Sequence, residues 1–496
     1  MDFKFEKYKK FIPCILITIG SIFRLAQYIF NRSLTEGEAP LAMNIIERSY
    51  QTLIKPLDYV QAAPIGFLYI EKLCVNIFGN NEYALRIFPL IVGILALFLF
   101  YKILKIIGDY KITLFGLAFF VLNDYLIYFS SEVKPYSSDV FFSLLLIFLV
   151  LITIRDNLNI AMLIIYGIIG AITIWLSFPA VFVFIGTGII LLIYIIKNKD
   201  YKAFLIIMLA GAIGFLSLTS NYFLCLRHYT THKELLDFWQ NDFIPFPPKS
   251  LAEVYQIIYI LVRIFKNPGG FSIYDIFLAI LFFIIGIIYF YRNKKIASLI
   301  IIIPFIITIL CSILRLYPFE GRVILFIAPI LSIFVSAGVT LMYNIVKKSS
   351  TPIATSISLI LFIYPALNSC YHLIKPRAPE ELRPVLEYLL KNRKEQDKIY
   401  VYYGAVNAFR YYQIRFSDFH EDYILGIESR NDWTGYYRDL EKLKGNRRVW
   451  FIFSHIATHL GGNEEKIFLS YLNLIGNQVA SFTTSGASAY LYDLSK

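Results

Sequence analysis

Eleven long apolar segments dominate this sequence and limit what the chain can fold into. The hydrocarbon core of a bilayer is about 30 Å thick, so roughly 20 helical residues are needed to cross it. We predict one membrane span in each segment: 11–30, 85–107, 112–130, 138–154, 160–177, 180–196, 203–222, 273–291, 296–314, 321–345 and 352–369. Of the 496 residues, 57% are hydrophobic and only 17% are charged. This composition excludes a disordered chain and an ordinary soluble enzyme.

The basic residues predict the orientation, because Lys and Arg collect in short cytoplasmic loops. The first span follows the Lys-rich segment 1–10, and every second loop after it is basic. Those loops carry Lys102, Lys105 and Lys111; Arg155; Lys197, Lys199 and Lys202; Arg292, Lys294 and Lys295; and Lys347 and Lys348. The net charge of +12 therefore lies at the ends of spans, which argues against a nucleic-acid partner. We predict a multi-pass plasma (inner) membrane protein with a cytoplasmic N-terminus and an extracytoplasmic C-terminus.

Three regions lie outside the membrane in this prediction: the loops 31–84 and 223–272, and the tail from residue 370. In the tail, β-rich runs alternate with helical stretches, which is typical of a small α/β domain with a partly parallel sheet. The β-rich runs are 398–403, 447–453, 478–483 and 487–492, and the helical stretches are 380–394, 406–412, 434–444 and 464–474. We therefore predict a transmembrane module over 1–369, which includes both loops, and a C-terminal extracytoplasmic α/β domain over 370–496.

Charged residues at the outer ends of spans are the candidates for chemistry, because a charge against hydrocarbon is costly and is retained mainly for function. Glu36 and Glu38 come directly after the first span. Two carboxylates at a membrane face can bind a cation or accept a proton. The alternative is an acidic loop in water. His455 and His459 have metal-ligand spacing but no acidic partner in sequence, so no metal site is predicted there.

A dense polar stretch over 128–139 separates the third and fourth spans. Its charged and phenolic members are Glu132, Lys134, Tyr136 and Asp139. An interfacial turn with a snorkelling Lys is the alternative to a binding site. Such a turn requires fewer polar residues than this stretch contains, so we favour a site.

Two arginines occupy comparable positions elsewhere: Arg86 opens the second span and Arg322 opens the tenth. Each alone is most simply an interfacial anchor. Together with Lys134 they would give three cations at one depth on one side of the membrane. That arrangement suits a phosphate held at the level of the lipid headgroups.

With these stretches in view, the chain resembles the GT-C glycosyltransferases, and in particular the glycosyltransferase-39-like group related to protein O-mannosyltransferases and to the aminoarabinose transferase of lipid A. The stretches that carry the likeness are 36–45, 61–67 and 82–89, then 128–139, then 317–322. With the matching order of spans it covers residues 10–345.

The resemblance implies a membrane enzyme whose active site lies on the extracytoplasmic side. It would transfer a sugar from a polyprenyl-phosphate donor to a lipid, glycan or protein acceptor and invert the anomeric centre. Glu38 or Glu36 would be the catalytic base, and the donor phosphate would be bound by Lys134, Arg86 and Arg322. Glu132, Tyr136 and Asp139 would orient the substrate. The resemblance fixes no cofactor, and a requirement for a divalent cation stays open.

This chain departs from the family pattern at two positions. Gly37 stands where the family usually has Asp, with Glu38 at the following Glu position. The segment Gln61-Ala62-Ala63-Pro64 replaces the acidic-Lys-Pro-Pro segment of the aminoarabinose branch. The phosphate-binding Lys of that branch is therefore missing here, which argues against aminoarabinose as the sugar and favours Lys134 as the phosphate ligand. Two other functions stay open: a transporter or flippase of lipid-linked glycans, and a catalytically silent scaffold. A transporter predicts ionisable residues near the midplane and two related halves, neither of which is visible here.

Overall fold

The structure is a computed structural model that describes residues 11–231, 233–416, 423–430, 432–459 and 462–495. The basic segment 1–10 and the side chain of His459 lie outside the described residues. The chain divides into two compact units. The membrane unit contains residues 1–30, 49–74 and 86–376, and the α/β unit contains residues 31–48, 75–85 and 377–496.

This division differs from a single boundary at 369/370, because two parts of the first outer loop belong with the tail. Buried polar contacts explain the grouping. Glu82 is fully buried and forms ion pairs with Arg383 and Arg415. The phenol of Tyr412 also donates to Glu82, at 3.0 Å. A carboxylate removed from water in this way needs such partners to be tolerated, so the segment around Glu82 folds with the tail that supplies them.

The helices are numbered along the chain. Those of the membrane unit are α1 Ile12–Ile29, α3 Ile65–Phe78 (whose last four residues are assigned to the α/β unit), α4 Ile87–Ile107, α5 Tyr110–Val121, α6 Asp124–Phe129, α7 Tyr136–Arg155, α8 Ile160–Leu176, α9 Ala180–Asn198, α10 Tyr201–Asn221, α11 Arg227–Thr231, α12 Lys233–Phe238, α13 Leu251–Lys266, α14 Ile276–Asn293, α15 Lys295–Ile313, α16 Ala328–Val346 and α17 Thr351–Ile374. Those of the α/β unit are α2 Ala39–Glu47, α18 Leu382–Asn392, α19 Val406–Arg415, α20 Trp433–Glu441 and α21 Glu464–Ile475.

All eleven predicted spans are helical, and nine helices within the described residues are long and apolar enough to cross a membrane. The two shorter ones are α5, with 12 residues, and α8, with 17. Helix α5 ends early because Asn123 caps the next helix, its side chain accepting from the backbone N–H groups of Tyr125 and Leu126. The predicted break between α8 and α9 at Pro179 is confirmed. The chain is therefore a multi-pass helical membrane protein, as predicted.

Helix α16 forms the centre of the membrane unit, since 94% of its apolar stretch is buried. It packs against α14 through two glycines. A Cβ on Gly286 would lie 1.8 Å from the carbonyl oxygen of Phe334, and a Cβ on Gly338 would lie 2.0 Å from that of Phe282. Close backbone approach through small residues is the usual way in which membrane helices associate.

The α/β unit contains a five-stranded sheet in the order β2-β1-β3-β7-β6. Its strands are β1 Lys398–Val401, β2 Ile424–Leu425, β3 Val449–Ser454, β6 Asn477–Thr484 and β7 Ala487–Asp493, and a separate pair is formed by β4 Thr458–His459 and β5 Gly462–Asn463. Strands β2, β1 and β3 are parallel, whereas β7 is antiparallel to both β3 and β6. The predicted α/β domain with a partly parallel sheet is thus confirmed.

Candidate active site

The predicted site residues fall in both units. The membrane unit contains Arg86, Glu132, Lys134, Tyr136, Asp139 and Arg322, and the α/β unit contains Glu36 and Glu38. Each group is described within its own unit.

Residues 130–135 of the polar stretch form a tight turn between α6 and α7, and residues 136–139 are the first residues of α7. The Ser137 hydroxyl donates to the carbonyl of Pro89 at 3.1 Å, and the Ser138 hydroxyl donates to that of Pro135 at 2.6 Å. Gly93 of α4 leaves room for this turn, because a Cβ there would lie 2.8 Å from the Cβ of Ser130. The polar stretch is therefore held against α4 by the hydrogen bond from Ser137 and by a glycine contact.

A cavity of about 320 Å³ lies beside this turn within the membrane unit. Polar side chains on its wall include Lys134, Tyr136, Asp139, Arg315 and Tyr317. The rest of the wall is mostly apolar and aromatic and includes Trp239 from the second outer loop. A cavity with apolar walls and a few convergent polar groups is typical of a small-molecule site.

Lys134 is positioned by a residue that the sequence did not single out for this role. Its ammonium group donates to the amide oxygen of Gln61 at 2.6 Å. Gln61 belongs to the segment that replaces the acidic-Lys-Pro-Pro segment of the aminoarabinose branch. The segment thus supplies an amide acceptor that orients the Lys of the polar turn.

A second set of polar residues surrounds Arg322, which lies close enough to Tyr136 and Glu132 to interact with them electrostatically. The guanidinium of Arg322 is 5.9 Å from the centre of the Trp239 ring. Its neighbour Glu320 forms an ion pair with Arg263 at 2.6 Å. The structure therefore brings Glu132, Tyr136 and Arg322 together.

Two members of this second set were not predicted. Arg263 and Asp242 lie in the loop 223–272, which has no recognisable motif, so only the fold reveals their position. Burial raises the pKa of the Asp242 carboxyl, although Arg263 and Arg322 act in the opposite direction. Burial also raises the pKa of Glu320, again against the effect of Arg263.

Asp139 has an unsatisfied oxygen on the cavity wall. The residue is 4% exposed, and its Oδ1 atom has no hydrogen-bond partner within the described part of the chain. A buried carboxylate oxygen without a partner is costly, so such an atom is commonly completed by a ligand or by water. Asp139 is therefore able to bind a donor group of a substrate.

Arg86 is buried, at 1% exposure, and does not line the cavity. Glu71 of α3 is a further buried carboxylate, which was not predicted because Glu71 and Lys72 stand in an otherwise apolar segment without a motif. It is fully buried, and neither of its oxygens has a hydrogen-bond partner among the described residues. Burial raises the pKa of Glu71 well above its usual value.

In the α/β unit, Glu38 is fully buried at the start of α2 and is held by Arg32, whose two terminal nitrogens donate to its two oxygens. The backbone N–H and the hydroxyl of Thr35 also donate to Glu38, at 3.2 and 3.3 Å. A bidentate Arg–carboxylate pair fixes geometry strongly. Both oxygens of Glu38 are thus already engaged.

Glu36 lies at the N-terminus of α19, where its carboxylate accepts from the side chain of Asn407 and from the backbone N–H of Ala408 at 3.1 Å. Its own N–H donates to Glu380 at 2.7 Å, and the other Glu380 oxygen is 2.7 Å from Nδ1 of His455. Burial raises the pKa of Glu36 to about 7, and the two hydrogen bonds only partly offset this effect. A carboxyl with that pKa can exchange a proton near neutral pH.

Among residues that the structure describes, no group of three or more His, Cys, Asp or Glu side chains is arranged to hold a metal ion. His455 contacts Glu380 instead. A requirement for a divalent cation stays an expectation.

Comparisons with known proteins give matches among solved structures only: no family model and no curated protein matches the chain. It is similar to ArnT from Cupriavidus metallidurans in the apo state, at 9% identity with a TM-score of 0.53, over 94% of this chain and 96% of that one. It is also similar to ArnT from the same organism bound to undecaprenyl phosphate, at 10% identity with a TM-score of 0.53, over 96% of this chain and 97% of that one. A third match is an oligosaccharyltransferase from Archaeoglobus fulgidus in complex with Zn and sulfate. The identity is 10% and the TM-score is 0.50, over 88% of this chain and 67% of that one.

Sequence identity this low shows a shared fold and leaves the activity to be argued from the site. The matched proteins are polytopic membrane enzymes of the GT-C type, and two of the three matches extend over nearly the whole of both chains. The chain therefore has the GT-C fold, as the resemblance in sequence implied.

Proposed function

We propose that this protein is an integral membrane glycosyltransferase that transfers a sugar from a polyprenyl-phosphate donor to a lipid, glycan or protein acceptor. The observation that carries the proposal is the cavity of the membrane unit, whose mostly apolar and aromatic wall includes Lys134, Arg315 and Asp139. Cations at the edge of an apolar cavity suit a lipid phosphate. The GT-C fold supports the same conclusion, since the similar ArnT has been solved with undecaprenyl phosphate bound.

The proposed reaction is a single displacement with inversion. The acceptor hydroxyl oxygen attacks the anomeric carbon, the bond from that carbon to the phosphate oxygen breaks, and polyprenyl phosphate leaves with the electron pair. A phosphate is already a good leaving group, so no acid needs to protonate it as in a glycosidase. Cations are needed for the charge that develops on the phosphate, and one base is needed for the acceptor proton.

We assign the phosphate to Lys134 first, with Arg322 and Arg86 as the other predicted ligands. Lys134 is favoured because it lines the cavity and is oriented by Gln61. Arg315, which also lines the cavity, is an additional candidate. Asp139, Tyr136 and Glu132 are proposed to orient the sugar and the cations.

Glu36 and Glu38 are both candidates for the catalytic base. The pKa of about 7 favours Glu36, because a general base works best when its pKa is near the operating pH. The position of Glu38 in the family pattern favours Glu38, although Arg32 and Thr35 already bind its oxygens. Single Glu36→Gln and Glu38→Gln variants separate the two, and unchanged turnover in the double variant would assign the base to another acid.

The direct test is release of polyprenyl phosphate from labelled polyprenyl-phosphate sugars incubated with membranes that contain the protein. We expect Lys134→Ala to lower turnover by at least about 100-fold, the scale found when a group that stabilises developing charge is removed. Lys105→Ala is the matched control, because Lys105 is exposed near the C-terminus of α4 and is predicted to be cytoplasmic. Near-normal turnover in Lys134→Ala would remove this assignment, and no release by the wild type would favour a flippase or a silent scaffold.

We also propose the plasma membrane as the location, with the N-terminus in the cytoplasm and the α/β unit outside. The alternation of basic loops supports this orientation. A requirement for a divalent cation is tested in the same assay by adding a chelator and then restoring Mg²⁺ or Mn²⁺.

A further inference from the structure

We propose that the α/β unit contains a carbohydrate-binding site of its own, in a cavity at the carboxyl ends of strands β1 and β2. The ligand class is a neutral sugar ring of a glycan. Nothing in the proposed transfer chemistry requires this site.

The position of the cavity follows from the topology of the sheet. Strands β1 and β2 are parallel neighbours that end at Val401 and Leu425, which are paired in register. Residues 403–410, which follow β1, and residues 425–428, at the end of β2, line an open cavity of about 540 Å³. Ligands of open α/β sheets bind outside the carboxyl ends of the strands, so this is the edge at which a site is expected.

The wall of the cavity is amphipathic. Tyr403, Asn407, Arg410 and Glu428 supply an aromatic ring and planar polar groups. Two apolar residues of the wall, Leu425 and Ile427, remain 48% and 39% exposed, respectively. A pyranose ring has apolar C–H faces and a rim of hydroxyls that both donate and accept, so it matches both parts of this wall.

Tyr403 and its partners are held in place before any ligand binds. The phenol of Tyr403 donates to Glu464 at 2.7 Å and accepts from Nε of Arg430 at 2.9 Å. The guanidinium of Arg430 also lies 5.3 Å from the centre of the Tyr403 ring, and it pairs with Glu428 at 3.2 Å. Side chains fixed in this way lose little further freedom on binding, which favours affinity for a small ligand.

The same contacts argue against a phosphate ligand. The helix N-terminus beside the cavity is already used, because Asn407 and the N–H of Ala408 donate to Glu36. A second carboxylate, Glu428, lies on the cavity wall and would repel an anion. A neutral polyol avoids both difficulties, since its hydroxyls can bind arginine and glutamate together.

The binding of a sugar in this cavity does not depend on the proposed function. The further statement that this sugar is part of the acceptor rests on the proposed function. The experiment is therefore a binding measurement that needs no turnover. Saturation-transfer difference NMR is recorded on the full-length protein in a detergent without a sugar headgroup. The probes are methyl glycosides of glucose, galactose, mannose and N-acetylglucosamine at millimolar concentration.

We expect saturation of ring protons of at least one glycoside by the wild type. The double variant Arg410→Gln, Glu428→Gln should weaken the signal by about fivefold or more, as expected when hydrogen bonds to charged groups are lost. The matched control is Arg438→Gln, Glu395→Gln, which changes two exposed residues of the same unit outside the cavity and should leave the signal unchanged.

Two results would overturn the proposal: no saturation of any glycoside by the wild type, or a signal that the Arg410→Gln, Glu428→Gln variant retains. In the second case, loss of the signal in Asp139→Asn would place the sugar in the membrane unit instead. Polyprenyl phosphate release is measured on the same preparations. Binding without release in the wild type would contradict the proposed transferase while leaving the sugar site standing.

Discussion

At the scale of single residues, the α/β unit depends on a few buried carboxylates that fix chain segments far apart in sequence. Glu82 is the clearest case, because it binds Arg383, Arg415 and Tyr412 while having no exposed surface. The phenol of Tyr412 also accepts from the N–H of Leu34 at 2.9 Å. One carboxylate thus joins parts of the first outer loop to the tail.

Replacing Glu82 with Gln should destabilise the α/β unit strongly. The change leaves two arginines without their counter-charge, and breaking a buried ion pair from one side costs about 3–5 kcal/mol. Limited proteolysis of the full-length protein during heating measures this loss as earlier cleavage of the tail. The control is Glu395→Gln, an exposed position that should behave as wild type within about 0.5 kcal/mol. Equal cleavage of the two variants would contradict the role given to Glu82.

Glu36 predicts a pH dependence of the contact between segment 34–38 and α19. Its carboxyl has a pKa of about 7 in the structure, above the ordinary value of 4.5. The bound segment therefore holds the proton more tightly than the released one, so its stability is full below pH 4.5 and is lost as pH rises through 7. The slope for one proton is at most about 1.4 kcal/mol per pH unit.

Hydrogen exchange of the amides of residues 34–38, corrected for the intrinsic pH dependence, measures this effect. Protection should fall between pH 5 and pH 8 in the wild type and should vary less in Glu36→Gln. Glu380 and His455 also face Glu36, and the pKa of His455 is raised chiefly by its hydrogen bond to Glu380. His455 therefore contributes in the same direction, and His455→Gln measures its share. Protection that rises with pH would contradict the assignment.

The site was only partly predictable from single residues. Lys134, Tyr136 and Asp139 share a short stretch of sequence, so their common cavity could be expected. Arg263 and Asp242 reach that region from a distant loop with no motif, and Gln61 reaches it from another loop, where the family pattern gave no reason to expect a contact with Lys134. Their contribution depends on which helices pack together, and residue type and spacing do not contain that information.

At the scale of elements, the long apolar segments of the sequence predicted the membrane helices well, because a membrane span requires a long uninterrupted apolar run. Five helices in the described parts of the outer loops were missed, since they are short or amphipathic and were assigned to the loops as a whole: α2, α3, α11, α12 and α13. In the tail, all four predicted strands are present. Strand β2, with two residues, is too short to give an alternating pattern.

The contact between α14 and α16 predicts a large effect of a small substitution. Gly286→Ala places a Cβ within 1.8 Å of a backbone carbonyl, so the two helices must separate. Overpacking of this kind costs about 1–3 kcal/mol or more. Thermal denaturation of the purified protein should show a lower midpoint. Gly211→Ala is the matched control, because a Cβ there meets nothing within 4 Å.

Helix α13 exposes an apolar stripe that we expect to lie in the interface of the outer leaflet. Val254, Tyr255, Ile258 and Tyr259 are exposed, whereas Ile260, Ile264 and Phe265 are buried. The ring of Phe265 lies 5.3 Å from that of Phe283 in the span α14, so the helix ends at the edge of the bundle. Amphipathic helices with exposed tyrosines next to a span typically bind the headgroup region.

A nitroxide at Ile258 tests this expectation. In nanodiscs, the Ile258→Cys variant carrying the label should be relaxed more by oxygen, which partitions into lipid, than by a water-soluble nickel chelate. The label on Lys391→Cys, an exposed position of the α/β unit, is the aqueous reference. Equal nickel accessibility at the two positions would show that the stripe faces water.

At the scale of the whole molecule, the sequence constrains the architecture more strongly than the chemistry. Long apolar segments, basic loops and a tail of alternating helical and β-rich runs each extend over many residues. A prediction of architecture from any of them therefore does not depend on a single residue. The compact α/β unit shows the limit of this reasoning, because it includes segments 31–48 and 75–85 from a loop hundreds of residues earlier in the chain. Long-range buried ion pairs decide that grouping, and no local pattern predicts it.

The orientation in the membrane is the last prediction, and it follows from the alternation of basic loops. All five cysteines, Cys14, Cys74, Cys225, Cys311 and Cys370, are free and can be replaced by Ser to give a background for labelling. In intact cells, a membrane-impermeant maleimide should label the Lys391→Cys variant of α18. The Lys348→Cys variant, in the basic loop between α16 and α17, should be labelled only after the membrane is permeabilised. The opposite pattern would place the α/β unit in the cytoplasm and would exclude transfer on the outer face.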